Sequence, residues 1–229
     1  MFISFEGPDG AGKTTQAGIL AERLRSDGHD VVPIHEPGGT ELGTDVRALL
    51  VRRGWAPIDP RAEALLFSAC RAELVAEVIR PSLERGAIVV ADRFADSTLA
   101  YQGSGRRLPN DQLKLLIEMA TGGLEPDLTM LLDVPPAVGL GRLRAGTSGD
   151  AAPRAQLSFF EEIQLPLDWN RFEDEELDFH ERVREAYLQM ARAQPHRWRV
   201  IDATQPLAVV ERAVWEEVGL ALFRASSRT

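Results

Sequence analysis

An α/β fold is predicted for this chain, a five-stranded parallel sheet sandwiched between helices, and three observations predict it. Short apolar runs rich in Val, Ile and Leu alternate with longer helical patterns, as strands buried on both faces alternate with crossover helices. The first of these runs empties into a glycine-rich loop that opens a helix. With 229 residues and 44% hydrophobic content, the chain can bury one sizeable core, so a single domain spanning 1–229 is expected.

In chain order, the first strand is Phe2 to Glu6, followed by a helix over 13–27. A second strand, Val31 to His35, precedes helical patterns over 41–53 and 61–85, and the third strand is Ile88 to Ala91. Pro109 before "NDQLKLLIEMA" starts a helix over 109–121, because proline fits a helix's first turn. Thr129 to Asp133 reads as the fourth strand, with a helix over 135–145 after it. Segment 146–172 breaks the pattern: Gly, Ser, Ala and Pro come first, then aromatics mixed with acids, and a mobile lid over about 142–172 is expected. A helix over 173–194, a fifth strand Arg199 to Ile201 and a helix over 206–223 opened by Pro206 complete the order, and "ASSRT" reads as a frayed tail.

Composition narrows the function. The net charge of −9, from 35 acidic against 26 basic residues, lacks the basic footprint of a nucleic-acid binder and favours small-molecule partners. A single cysteine, Cys70, rules out an intrachain disulfide and fits a reducing compartment. No apolar run reaches membrane-spanning length and no signal-peptide pattern opens the chain, so a cytoplasmic protein that leaves membranes alone is expected. Only Lys13 and Lys114 among the basic residues are lysine, which marks Lys13 as a place where arginine was not used. His29, His35, His180 and His196 show no metal-ligand spacing.

Chemistry concentrates first in "GPDGAGKTT", residues 7–15, which meets the pattern G-x-x-x-x-G-K-[ST] through Gly7, Gly12, Lys13 and Thr14, between a strand and an amphipathic helix. Glycines let successive backbone N–H groups curl around phosphate oxygens, and the helix N-terminus adds positive potential. Gly7, Pro8, Asp9, Gly10, Ala11, Gly12, Lys13, Thr14 and Thr15 therefore form the expected nucleotide-phosphate loop, of an ATPase, GTPase, kinase or transporter subunit alike, with Lys13 on the β- and γ-phosphates and Thr14 on Mg²⁺. Asp9 is the anomaly, a carboxylate in a phosphate cradle.

A second motif, "VVADRFADSTLAYQG" at 89–103, starts at the C-terminal end of a strand, where an open parallel sheet collects ligands. Asp92 is placed to organise Mg²⁺, Arg93 offers a planar fork for an anion, and Thr98, Tyr101 and Gln102 supply hydroxyl and amide partners. "HEPGGT" at 35–40 ends another strand in a tight turn, with Glu36 in it and Arg47 about two helical turns on. Phe67 and Arg71, four apart, share a helix face, so one can stack on a heterocyclic base while the other hydrogen-bonds it.

Together with "HEPGGTELG", "LLFSACRAELV", "LLDVPPAVGLGR" and "RFEDEELDFHERVREAY", these blocks resemble the thymidylate kinase family in its bacterial form, from Met1 to about Leu222. The resemblance implies a P-loop NTPase three-layer sandwich, a homodimer, and Mg²⁺-dependent transfer of the γ-phosphate of ATP to dTMP. Another deoxynucleotide or nucleoside kinase, or a nucleotide-binding regulator without transfer activity, stays open as an alternative. By resemblance Phe67 stacks on thymine, Arg71 bonds the base, Thr98 and Gln102 complete the base pocket, and Tyr101 crowds the sugar 2′ position. Arg93 and Arg47 grip the acceptor phosphate with Glu36 close by, Asp9 turns toward the sugar 3′-hydroxyl, and Arg142 and the "DAT" turn at 202–204 meet adenine. A transition-state arginine is implied, from the loop or the lid. Gly10 stands where a loop arginine would be, leaving Arg144, Arg154 and Arg171, of which Arg154 and Arg171 are favoured because Arg144 can simply end a helix at its negative pole. Glu173 is a further candidate near Mg²⁺, against the reading of a solvated helix face.

Overall fold

The structure is a computed structural model that describes residues 1–52, 57–147, 172 and 175–226. Its sheet is β1 (Phe2–Glu6), β2 (Val31–His35), β3 (Ile88–Asp92), β4 (Leu128–Asp133) and β5 (Trp198–Asp202), all parallel in the order β2-β3-β1-β4-β5. The expected five strands are thus present, each within a few residues of its expected bounds. The helices are α1 (Lys13–Ser26), α2 (Glu41–Val51), α3 (Pro60–Leu74), α4 (Arg80–Glu84), α5 (Ala95–Thr98), α6 (Asn110–Thr121), α7 (Pro136–Thr147), α8 (Leu177–Ala193) and α9 (Leu207–Ser226).

Strand alternation divides the core into two layers. Ile3 and Phe5 of β1 and Leu128, Met130 and Leu132 of β4 pack with Leu20 of α1 and Val214 and Val218 of α9. Phe2 faces the other way, toward Leu74 and Phe94, and Leu131 joins Tyr187 and Val183 of α8. Glu6 shares the face of Phe2, so the same period that buries Phe5 under α1 points Glu6 toward α5 and α8.

Two departures from the sequence expectation have physical causes. The helical pattern over 61–85 is α3 and α4 joined by a π-helical stretch, Val75–Ile79. Pro81 lacks an N–H and its ring crowds the carbonyl four residues back, so the turn before it widens. Residues 95–105, assigned no helix from the sequence, form α5 and a second π-helical stretch, Leu99–Gly105. The helix expected over 173–194 starts at Leu177, with residues 173–174 outside the described residues. No helix among the described residues is long and apolar enough to cross a membrane.

Candidate active site

The carboxyl ends of β1, β2 and β3 supply the site, where the sheet's order reverses about β1. From β1 the chain enters the phosphate loop, whose Gly12 caps α1 in the left-handed region at φ 90°. The first turn of α1 holds no acidic residue, so its free N–H groups and positive pole are left to an anion. A Cβ on Gly12 would meet nothing within 4 Å, which leaves the cradle open. Gly10 is closed by contrast: at φ 74°, its Cβ would fall 2.0 Å from the Gly139 carbonyl oxygen on α7. Arginine cannot be accommodated there.

Lys13 is buried and its Nζ donates to the Gly7 oxygen (3.1 Å) and the Pro8 oxygen (2.8 Å), drawing the loop closed around it. Burial, then the nearby Arg93, pushes its ammonium down to about 8. Thr14 Oγ1 donates to Asp92 Oδ2 at 2.5 Å. Among the described residues no group of three or more His, Cys, Asp or Glu is placed to hold a metal. A hydroxyl and a single carboxylate, side by side at a phosphate cradle, form a hard, oxygen-only donor set. That suits Mg²⁺, which keeps several waters and shares substrate phosphates, and does not suit a zinc cage.

The acid in the loop has a partner. Arg93 adopts a left-handed backbone (φ 73°), uncommon for a side chain of its size and costing on the order of 1–2 kcal/mol. From there its Nη2 donates to Asp9 Oδ1 (2.5 Å) and to the Tyr101 hydroxyl (3.0 Å), and Nη1 reaches the Gly7 oxygen (3.2 Å). Burial raises the Asp9 carboxyl, but Arg93 and then Lys13 outweigh it and hold it below its ordinary value. Asp9 Oδ2 is buried without a hydrogen-bond partner, 3.8 Å from His180 Nδ1.

Beside this pair lies a cavity of ≈ 130 Å³ lined by Asp9, Glu36, Arg47, Phe67, Arg71, Arg93, Thr98, Tyr101 and Gln102, together with Pro37, Val51, Ser97 and Phe172. Every residue expected from the sequence to meet the acceptor borders this one cavity. Arg71 is fully buried: Nε and Nη2 donate to Glu36 Oε2 at 2.9 and 2.6 Å, and Nη1 to Thr98 Oγ1 at 3.0 Å. Gln102 Nε2 donates to Glu63 Oε1 (2.7 Å), and Arg47 Nη1 to the Pro37 oxygen (3.0 Å). The Phe67 and Tyr101 rings each stand 6.1 Å from Phe172. A larger hollow of ≈ 530 Å³ between α6 and α8 touches none of these residues and no part of the phosphate loop.

Elsewhere the placement differs. Thr15 and Arg142 are exposed, Arg142 on α7. In the "DAT" turn Asp202 Oδ1 accepts from the Thr204 backbone, and Ala203 N donates to the Asp133 oxygen beside β4. Arg154, Arg171 and Glu173 lie outside the described residues. Cys70 is a buried free thiol whose ionisation burial raises to about 11.

Sequence reasoning missed Glu6, Ser97, His180 and Tyr187. Glu6 is fully buried, and Phe94 N, Ser97 Oγ and the Tyr187 hydroxyl donate to it at 2.8, 2.7 and 2.8 Å. Burial, then Asp96, raises its carboxyl to about 7. The available signal was an ionisable residue closing the apolar run "FISFE".

His35, at the end of β2, yields a pH prediction. Burial, then Arg47, lowers its imidazole from 6.5 to about 4, so the folded protein holds it neutral while the unfolded chain protonates it. Its contribution is present above pH 6.5 and is lost as pH falls toward 4. Urea titrations across that window should show a stability loss that is smaller in His35→Gln; equal losses in both proteins would contradict this.

The thymidylate kinase family model matches residues 5–214. Thymidylate kinases of Thermomicrobium roseum and Deinococcus radiodurans are 50% identical over 217 residues and 47% identical over 218. The first alignment covers 95% of this chain and 93% of the relative, the second 95% and 96%. The crystal structure of thymidylate kinase from Ehrlichia chaffeensis superposes with a TM-score of 0.71 at 32% identity, covering 95% of this chain and 98% of that one. With the phosphate loop, the five-stranded parallel order and this coverage in agreement, the chain belongs to the thymidylate kinase family.

Proposed function

We propose that this chain transfers the γ-phosphate of ATP to dTMP, giving dTDP and ADP, as a step of dTTP synthesis. The observation that carries the reading is the Asp9–Arg93 pair, which belongs to the phosphate loop and the acceptor cavity at once. Phosphoryl transfer asks a protein mainly to align two substrates and neutralise charge, and one ion pair that faces both can do so.

In this reading the loop from Gly7 to Thr15 holds the ATP phosphates, Lys13 leaves the Gly7 and Pro8 carbonyls to meet the β- and γ-oxygens, and Arg142 and the 202–204 turn meet adenine. Phe67 stacks on the base. Arg71, held by Glu36, turns its remaining N–H capacity toward the base edge, with Thr98 and Gln102 beside it. Tyr101 closes the space a ribose 2′-hydroxyl would need. Arg93 and Arg47 receive the acceptor phosphate, whose oxygen then attacks the γ-phosphorus in line. Thr14 and Asp92 would hold Mg²⁺, which would supply charge neutralisation at the donor phosphates. Arg154 and Arg171 supply the remaining transition-state cation.

A homodimer is part of the proposal. Leu65 on α3 and Leu115 and Met119 on α6 are exposed apolar side chains on helices that pack together, a surface suited to a second copy. Light scattering should give twice the 25.2 kDa chain mass, and the chain mass at all concentrations would refute it.

The reaction is tested by coupled ADP release with dTMP, dUMP, dCMP, dGMP and thymidine. The largest stimulation is expected with dTMP; no acceptor rising above the ATP-only blank would end the kinase reading. Asp9→Ala removes a charge-assisted hydrogen bond and should raise KM for dTMP about tenfold or more, with ATP affinity within about twofold. Weakened ATP binding alone would contradict Asp9's orientation toward the acceptor.

A further inference from the structure

Among the described residues lining the acceptor cavity, Arg93 is the non-glycine held in a left-handed backbone, and beyond the cavity residues Asp9, Ser97 and Tyr101 that it touches, it is backed by Glu6 and Tyr187, which do not line the cavity. Glu6, behind it on β1, receives the N–H of the next residue, Phe94, on Oε1. Its other oxygen, Oε2, receives the hydroxyls of Ser97 and Tyr187. Those two hydroxyl oxygens each lie 3.3 Å from Arg93 Nη1 and accept from it.

The direction of these bonds follows from proton counting. A carboxylate only accepts, whereas a hydroxyl has one proton to give and lone pairs to spare. The two hydroxyls also lie 2.8 Å from each other, but with each proton directed at Oε2 both oxygens present lone pairs to the guanidinium. An amide at position 6 cannot reproduce this. If its NH₂ faced the hydroxyls, they would receive there and turn their protons elsewhere, toward Arg93; if it faced Phe94, two donors would meet. We propose that Glu6 is a positioning residue for the transfer reaction: it pins the Phe94 backbone and turns the Ser97 and Tyr187 hydroxyls into acceptors for Arg93, which fixes the direction of the guanidinium toward the acceptor phosphate.

The inference rests on the proposed reading of Arg93 as a phosphate clamp, and the test separates the two. Binding of dTMP and of thymidine, without ATP, is measured by calorimetry at about pH 8, roughly a unit above the value of about 7 to which burial raises the Glu6 carboxyl, so that it is mostly ionised. Thymidine has no phosphate and serves as the internal control. Glu6→Gln should weaken dTMP about tenfold and thymidine less than about twofold, with the Arg93→Ala/Glu6→Gln double variant no weaker than Arg93→Ala. Tyr187→Phe keeps the packed ring and removes one acceptor, so a loss of about threefold, again confined to dTMP, is expected even where Glu6→Gln fails to fold. If Arg93→Ala loses dTMP selectively while Glu6→Gln and Tyr187→Phe do not, or if they weaken both ligands alike, the positioning role is refuted. If Arg93→Ala itself spares the preference for dTMP over thymidine, the clamp reading falls and the positioning role with it.

Discussion

Lys13→Ala should lower kcat by about 10²- to 10³-fold, the range found when one preorganised donor to developing charge is removed. Lys13 is buried at the base of the loop, its Nζ already between two carbonyl oxygens of the residues that would wrap the phosphates. Its ammonium is lowered only to about 8, so at neutral pH it stays mostly charged, and a bound polyphosphate draws it back up. Lys13→Arg should not rescue the rate, because a planar fork cannot replace a compact point charge between Gly7 and Pro8. In a chain whose 26 basic residues include only Lys13 and Lys114 as lysine, that preference is visible in the composition. Steady-state rates at saturating ATP and dTMP decide the matter; a kcat within tenfold of the parent for Lys13→Ala would remove it from the transfer step.

Arg71→Ala should destabilise the fold by about 3–5 kcal/mol, the cost of leaving a buried carboxylate without its partner. Arg71 and Glu36 have side chains 1% and 4% exposed, and three guanidinium contacts fall on the one carboxylate. The double variant Arg71→Leu/Glu36→Leu should recover most of that loss, since apolar replacement of both members of a buried pair is often neutral. It should still fail to bind dTMP well, having lost the donor proposed to face the base. Urea unfolding separates these outcomes: a stability loss below about 1 kcal/mol for Arg71→Ala would mean that solvent or a shifted neighbour satisfies Glu36.

The sheet was legible because its strands are buried on both faces and so read as unbroken apolar runs. Residues 95–105 were not, since "ADSTLAYQGSG" is short, carries two glycines, and winds partly as a π-helix, whose period differs from the one that marks an α-helix. Most of the residues that line the ≈ 130 Å³ cavity were readable in type, by motif and spacing. Their partners were not: Arg93 meets Asp9 from 84 positions away and Tyr187 from 94, and Arg71 meets Glu36 across 35. Glu6 escaped notice for the opposite reason, being one letter at the end of a strand. Only the strand's alternation, combined with where α5 and α8 settle, turns it into a hub.

The contact between Gly10 and Gly139 reaches beyond this one chain. A Cβ on Gly10 meets the Gly139 carbonyl oxygen at 2.0 Å, and a Cβ on Gly139 meets the Asp9 carbonyl oxygen at 2.2 Å, so backbone rests on backbone with no room on either side. A side chain introduced at position 10 alone therefore forces the Gly139 backbone to move. In the proposed arrangement the transition-state cation comes from Arg154 or Arg171, and moving it to position 10 would require α7 to shift first. The two arrangements are separated by an epistatic barrier that single substitutions do not cross.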